Sequence, residues 1–117
     1  MPPKLAYTIL FVADMQGAIR FYRDTLGLKL RFDSPEWTEF VTGETTLALH
    51  LAALKNPAGK VEIGFQVADL HAFHKEMMGK GVKFPMPPTQ QDFGGELAQF
   101  LDSEGTAVSV SGPMPKM

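Results

Sequence analysis

The apolar positions of this chain fall into two similar series. Residues 5–12 (Leu-Ala-Tyr-Thr-Ile-Leu-Phe-Val) form an apolar, partly β-branched run that ends in Val12-Ala13-Asp14. Residues 61–67 form a second run that ends in Val67-Ala68-Asp69. Each run reads as a strand, and each Asp reads as the N-cap of a helix. Ala18, Ile19, Phe21, Tyr22, Thr25 and Leu26 follow the first cap at helical spacing, and Leu70, Phe73, Met77 and Met78 follow the second as inward positions. Gly27 and Gly81 close the two helices as left-handed terminators. Shorter strands are predicted after the first helix at 28–32, 37–41 and 45–52, and after the second at 82–84, 97–101 and 107–111. The same order of elements occurs twice, which predicts a duplicated unit of strand, helix and three strands. Its copies are modules 5–54 and 60–112 of one domain spanning 1–117. Residues 112–117 read as a disordered tail.

Alternation within the strands sorts side chains onto two faces. Leu47, Leu49 and Leu51 share one face of their strand, opposed by Thr46, Ala48, His50 and Ala52. Ile63, Phe65 and Val67 oppose Glu62, Gly64 and Gln66, and Val108 and Val110 oppose Ala107, Ser109 and Ser111. The bulky faces suit packing under a helix. The small and polar faces either meet water or line one concave cup, with His50, Glu62, Gln66 and Ser109 on its floor. Trp37, Phe40, Phe93 and Phe100 are candidates to stack on a flat ligand; Phe40 and Phe100 fit plain core packing better, whereas Trp37 sits between polar neighbours. The stretch from Pro85 to Asp92 followed by Gly94-Gly95 reads as a lid loop with a glycine hinge. His71 and His74 lie three apart on the second helix and receive no role.

Composition narrows the function classes. With 117 residues the chain is one domain by size, and 44% hydrophobic content suits a globular protein. A net charge of −2 with no basic stripe argues against nucleic acid. The absence of cysteine removes disulfides, thiolate metal sites and a cysteine nucleophile. No apolar run is long enough to span a bilayer and the N-terminus lacks the pattern of a secretory signal, so a cytoplasmic location without membrane attachment is expected.

Two segments then carry a resemblance. Asp14-Met15-Gln16-Gly17-Ala18-Ile19-Arg20-Phe21-Tyr22-Arg23-Asp24-Thr25-Leu26-Gly27-Leu28 resembles the "D…a..FY…LG" signature of the vicinal oxygen chelate superfamily. Phe100-Leu101-Asp102-Ser103-Glu104-Gly105-Thr106 resembles its "f.DP.GN" turn. That superfamily contains glyoxalase I, bleomycin- and fosfomycin-resistance proteins and extradiol dioxygenases. The resemblance implies an α+β fold, two βαβββ modules forming a cupped mixed sheet, often as a homodimer.

In its metal-dependent members four ligands, typically His and Glu, stand on four strands. The corresponding positions here are Tyr7, His50, Glu62 and Ser109. His50 and Glu62 are good ligands for a divalent metal (Zn, Ni, Mn or Fe); Tyr7 and Ser109 are poor ones, so the ligand set is incomplete. Two functions follow as expectations. The first is a glyoxalase-type lyase or isomerase acting on a small oxygenated molecule by metal or general acid–base chemistry, with Glu62 as base and Tyr7 as donor to the oxyanion. The second is a non-catalytic, antibiotic-resistance-like binding protein that holds its ligand with Tyr7, Trp37, His50, Gln66, Phe93 and Ser109.

Overall fold

The computed structural model describes residues 2–91 and 94–113. It divides into two compact units: Ala6–Glu62, and Ile63 onward together with the first residues through Leu5. The predicted position Phe93 and residues 114–117 of the predicted tail lie outside the described residues; Gly112, expected in that tail, is instead buried, with its N–H donated to the Glu96 carbonyl at 3.4 Å.

The first unit carries β1 (Lys4–Val12), α1 (Met15–Arg20), β2 (Lys29–Asp33), β3 (Trp37–Val41) and β4 (Thr46–Leu51). Its strands are ordered β2-β3-β4-β1, with β1 and β4 parallel and the other neighbours antiparallel. The Asp14 carboxylate accepts from the Gly17 N–H at 3.0 Å, which satisfies one orphan donor and starts α1. After Arg20 the helix widens into a π-helical turn, Phe21–Thr25, in which the Leu26 N–H reaches the Phe21 carbonyl at 2.9 Å. The wider turn breaks the 3.6-residue phase of the sequence pattern. Ile19 and Tyr22 still pack on the core, but Phe21 and Leu26 are exposed.

The core of this unit lies between helix and sheet. Met15, Ile19, Phe40 and Leu49 are buried there, flanked by Leu10, Val12, Leu30 and Leu47. Thr38 is fully buried among them and donates its hydroxyl to Met15 Sδ at 3.4 Å. The other face of the same sheet has its own cluster of Ile9, Phe11 and Ala48, with Tyr7, Trp37 and Ala52 around it. The alternation of β4 is thus realised as expected: Leu47 and Leu49 go to the helix, Ala48 and His50 to the opposite face.

The second unit carries β5 (Val61–Gln66), α2 (Leu70–Gly79), β6 (Met86–Gln90), β7 (Glu96–Leu101) and β8 (Ala107–Ser111), with strand order β5-β8-β7-β6. β5 and β8 are parallel, the rest antiparallel, so its connectivity repeats that of the first unit. Asp69 caps α2 by accepting from the Ala72 N–H at 3.0 Å, the same offset as in α1. Leu70, Phe73, His74 and Met77 form the inward stripe. Met78, expected inside, is 54% exposed because it stands one position off that stripe.

Two further expectations are corrected here. Residues 82–84 form no strand; the strand is β6, inside the segment taken for a lid loop. Its Pro87 and Pro88 coincide with a register shift between Met86 and Thr89, at the edge of the unit's sheet. Proline lacks an N–H for the ladder, and an irregular edge strand is where that loss is tolerated. The residues before Gly94-Gly95 are thus paired to β7, and the Gln91 N–H bonds the Gly95 carbonyl at 2.9 Å. A hinged lid does not describe them. Among the described residues no helix is long and apolar enough to cross a membrane.

Candidate functional site

Strand register brings three of the expected residues together in the first unit. Tyr7 lies opposite Thr46, and Phe11 opposite His50, on β1 and β4. Trp37 lies opposite His50, and Glu39 opposite Ala48, on β3 and β4. Cross-strand partners share a face, so Tyr7, Trp37, Glu39, Thr46 and His50 all project to the side away from α1. Their rings meet edge to face: Tyr7 and Trp37 at 6.0 Å between centroids, Trp37 and His50 at 5.9 Å, with Phe11 tilted against His50 at 5.1 Å. The quadrupoles of aromatic rings favour such arrangements. Tyr7, Trp37 and His50 are each half-buried; Ile9, Phe11 and Ala48 form the buried floor between them.

Two residues that the sequence reading did not single out complete this face. Glu39 accepts from the Trp37 indole N–H at 2.8 Å through Oε2, and from the Arg31 guanidinium at 2.9 and 3.1 Å through Oε1. Arg31 also donates to the Thr46 hydroxyl. Arg31 reaches this side by alternation, since its neighbour Leu30 packs on the helix-side core opposite Phe40; the ladder shifts register just after it, where Phe32 pairs with Glu39. Glu39 was legible as the second residue after Trp37 on the same strand. Arg31 was legible too, as the neighbour of the core-facing Leu30 on a strand that alternates.

The polar atoms have defined roles. His50 Nδ1 lies 2.8 Å from the Leu51 carbonyl oxygen. A carbonyl only accepts, so Nδ1 carries the hydrogen and the neutral ring presents Nε2 as a lone pair. Burial raises the pKa of Tyr7 above 10.0; the Glu39 carboxylate raises it further and the Arg31 guanidinium opposes them. Tyr7 is therefore a phenol, a hydrogen-bond donor, throughout the neutral range. Lys60 donates to Asn56 Oδ1 at 2.6 Å and sits 5.7 Å above the Phe11 ring, a cation–π distance.

The other residues expected on the floor of the cup stand on β5 and β8. Glu62 ends the first unit and is buried on β5, 6% exposed. Gln66 and Ser109 belong to the second unit. Gly64 pairs with Ser109, Gln66 with Ser111, and Ser109 with Gln99, so these side chains share one face of that unit's sheet. Ser109 is buried there, and Gln66 donates to the Gly112 carbonyl at 3.5 Å. Phe40 and Phe100 are packing residues, Phe40 fully buried and Phe100 against Phe73 and Phe84. His71 bonds Glu96 at 2.9 Å and His74 packs on Phe84.

The donor set does not fit a resident metal ion. Among the described residues no three His, Asp or Glu side chains gather into a group able to hold one. A catalytic zinc site needs three protein ligands beside its open position. His50 and Glu62 remain two good donors without a third, and the chemistry below uses no metal.

Comparisons with known proteins agree with this architecture. The family model described as "Glyoxalase/Bleomycin resistance protein/Dioxygenase superfamily" matches residues 4–110. No curated protein matches the sequence. Among solved structures, the chain is similar to a hypothetical protein from Bacillus halodurans C-125, with TM-score 0.82 and 18% identity over 100% of this chain and 99% of that one. It is similar to methylmalonyl-CoA epimerase from Mycobacterium tuberculosis, with TM-score 0.80 and 17% identity over 96% and 89%. A structure described as NAD-dependent benzaldehyde dehydrogenase from Legionella pneumophila gives TM-score 0.75 and 22% identity over 95% and 98%. Identities this low carry the fold alone.

Proposed function

The chain belongs to the glyoxalase/bleomycin resistance protein/dioxygenase superfamily, and from that premise we propose that it binds a small, flat, oxygenated molecule on the β1–β4–β3 face of its first unit. The observation that carries this reading is the succession of Tyr7, Trp37 and His50 rings, with a phenol donor at one end and an imidazole acceptor at the other. An apolar floor with few placed polar groups is the usual make-up of a small-molecule site. The ligand's ring packs against Trp37, an oxygen accepts from Tyr7, and a hydroxyl donates to His50 Nε2.

One observation favours a second reading, in which the same face catalyses proton transfer. His50 Nε2 is a base with its tautomer fixed by Leu51, and Tyr7 is a protonated acid. In an isomerase or lyase, His50 takes the proton beside a carbonyl and the electron pair moves onto the carbonyl oxygen. Tyr7 then stabilises that oxygen by donating to it. Glu62, buried on β5, is the alternative base.

Trp37 is the single tryptophan, so its fluorescence reports directly on the site. A panel of small phenols and aromatic carbonyl compounds is titrated into the protein, followed by Tyr7→Phe, His50→Ala and Glu62→Gln. Saturable quenching that weakens at least tenfold in Tyr7→Phe and His50→Ala is the expected result. Binders that Glu62→Gln retains but no longer converts would support proton transfer to Glu62. The absence of any saturable change would refute the site.

A further inference from the structure

β2 places a cation, Arg31, at the Tyr7 end of the aromatic face, and hydrogen bonds to two neighbouring strands fix it there. Arg31 spends Nε and Nη2 on Glu39 Oε1 and Thr46 Oγ1. Three hydrogen bonds hold a side chain that is 45% exposed, and the two Nη1 hydrogens stay outside that set. A guanidinium held in this way is preorganised for a planar acceptor, since little rotamer freedom is left to lose on binding. Glu39 itself is anchored on its other oxygen by Trp37. The ring that packs the ligand and the cation at its edge are thus locked together through one carboxylate.

The two ends of the face differ in sign of hydrogen bonding. Tyr7 and Phe11 stand four residues apart on β1, about 13 Å along a strand at roughly 3.3 Å per residue. Tyr7, Thr46 and Arg31 gather at one end, where Tyr7 and the Nη1 edge of Arg31 are donors. His50 stands at the other end as an acceptor. Side chains reaching inward from both ends leave a span suited to one ring with a substituent at each side. Resting on the binding reading above, we propose that the ligand is a small aromatic carboxylate with a ring hydroxyl. Its carboxylate takes the Arg31 Nη1 edge and the Tyr7 hydroxyl, its ring packs on Trp37, and its hydroxyl donates to His50. Arg31 is then the specificity-determining residue and Glu39 a positioning residue that competes for the same cation.

That competition makes the proposal testable. 4-Hydroxybenzoate and its uncharged analogue 4-hydroxybenzamide are titrated against Trp37 fluorescence in wild type, Arg31→Gln, Arg31→Lys, Glu39→Gln and Lys60→Gln, each checked for an unchanged fold by circular dichroism. Wild type is expected to prefer the carboxylate at least tenfold. Arg31→Gln should erase the preference while holding the amide affinity within about twofold, and Arg31→Lys should keep part of it. Glu39→Gln leaves the ligand as the main counter-charge of Arg31 and should tighten carboxylate binding several-fold, which a merely structural Glu39 would not do. Lys60→Gln should leave both affinities in place. Equal affinity of wild type for the two probes, or a preference that survives Arg31→Gln or vanishes in Lys60→Gln, overturns the carboxylate assignment and leaves the aromatic site standing. Failure of both probes and of the wider panel overturns the site, and the assignment with it.

Discussion

Tyr7 makes the electrostatics of the candidate face measurable. Its phenol is held above its ordinary 10.0 by burial first and by the Glu39 carboxylate second, with Arg31 acting the other way. In a Tyr22→Phe background, which removes the other tyrosine, absorbance titration should show Tyr7 ionising above pH 10. Glu39→Gln should move that step down, and Arg31→Gln should move it up. Opposite shifts, or none, would separate Tyr7 from the Arg31–Glu39 pair. The sign for stability follows from linkage. A folded pKa raised above the unfolded one gives stabilisation that is present below about pH 10 and is lost as pH rises through the folded value. Thermal midpoints of wild type should therefore fall more steeply above pH 10 than those of Tyr7→Phe. At this scale His50 was legible from alternation and Tyr7 only through the family resemblance. The tautomer of His50 was not, since it depends on a contact with the Leu51 carbonyl that sequence does not display.

The two helices show what duplication allows at the level of elements. Asp14 and Asp69 both cap through the residue three positions on, but that residue is Gly17 in α1 and Ala72 in α2. A Cβ built at Gly17 would lie 2.3 Å from Asp14 Oδ2, the movable end of a side chain. The backbones of the two caps are alike, φ −118° and ψ 93° against φ −140° and ψ 101°. Ala72 shows that an Asp cap tolerates a methyl at this position. Gly17→Ala should then raise stability by about 0.5–1 kcal/mol, the ordinary gain of Ala over Gly inside a helix. Chemical denaturation measures it; a loss of stability would show that the Asp14 carboxylate has no second rotamer from which to cap.

The same comparison shows which elements sequence conveys. β3 and β8 have their predicted bounds because their alternation is unbroken, Trp-Thr-Glu-Phe-Val and Ala-Val-Ser-Val-Ser. β2 and β6 carry register shifts, and one of them carries two prolines. At β6 the two prolines made an edge strand read as a lid loop. Arg31 was open to alternation beside the core-facing Leu30 and was passed over.

For the whole molecule, the repeat read from Val-Ala-Asp becomes two units with one connectivity, each with its first and last strands paired in parallel. The homodimer implied by the resemblance is a separate expectation, and the surface offers a place to test it. Val61 and Ile63 stand on the same side of β5, opposite Glu62, at 54% and 40% exposure, and Leu54 is fully exposed. Apolar side chains grouped in sequence at such exposure lose stabilisation in water that a second copy would restore. Sedimentation equilibrium should give twice the chain mass, and Val61→Glu with Ile63→Glu together should return it to one chain by burying like charges across a two-fold contact. The Trp37 titration run on both forms then assigns the ligand's site. Equal affinity in dimer and monomer places every essential group within one chain, as the Tyr7, Trp37, His50 and Arg31 contacts predict. Loss of binding in a folded monomer would mean that a second chain supplies a group these contacts do not contain.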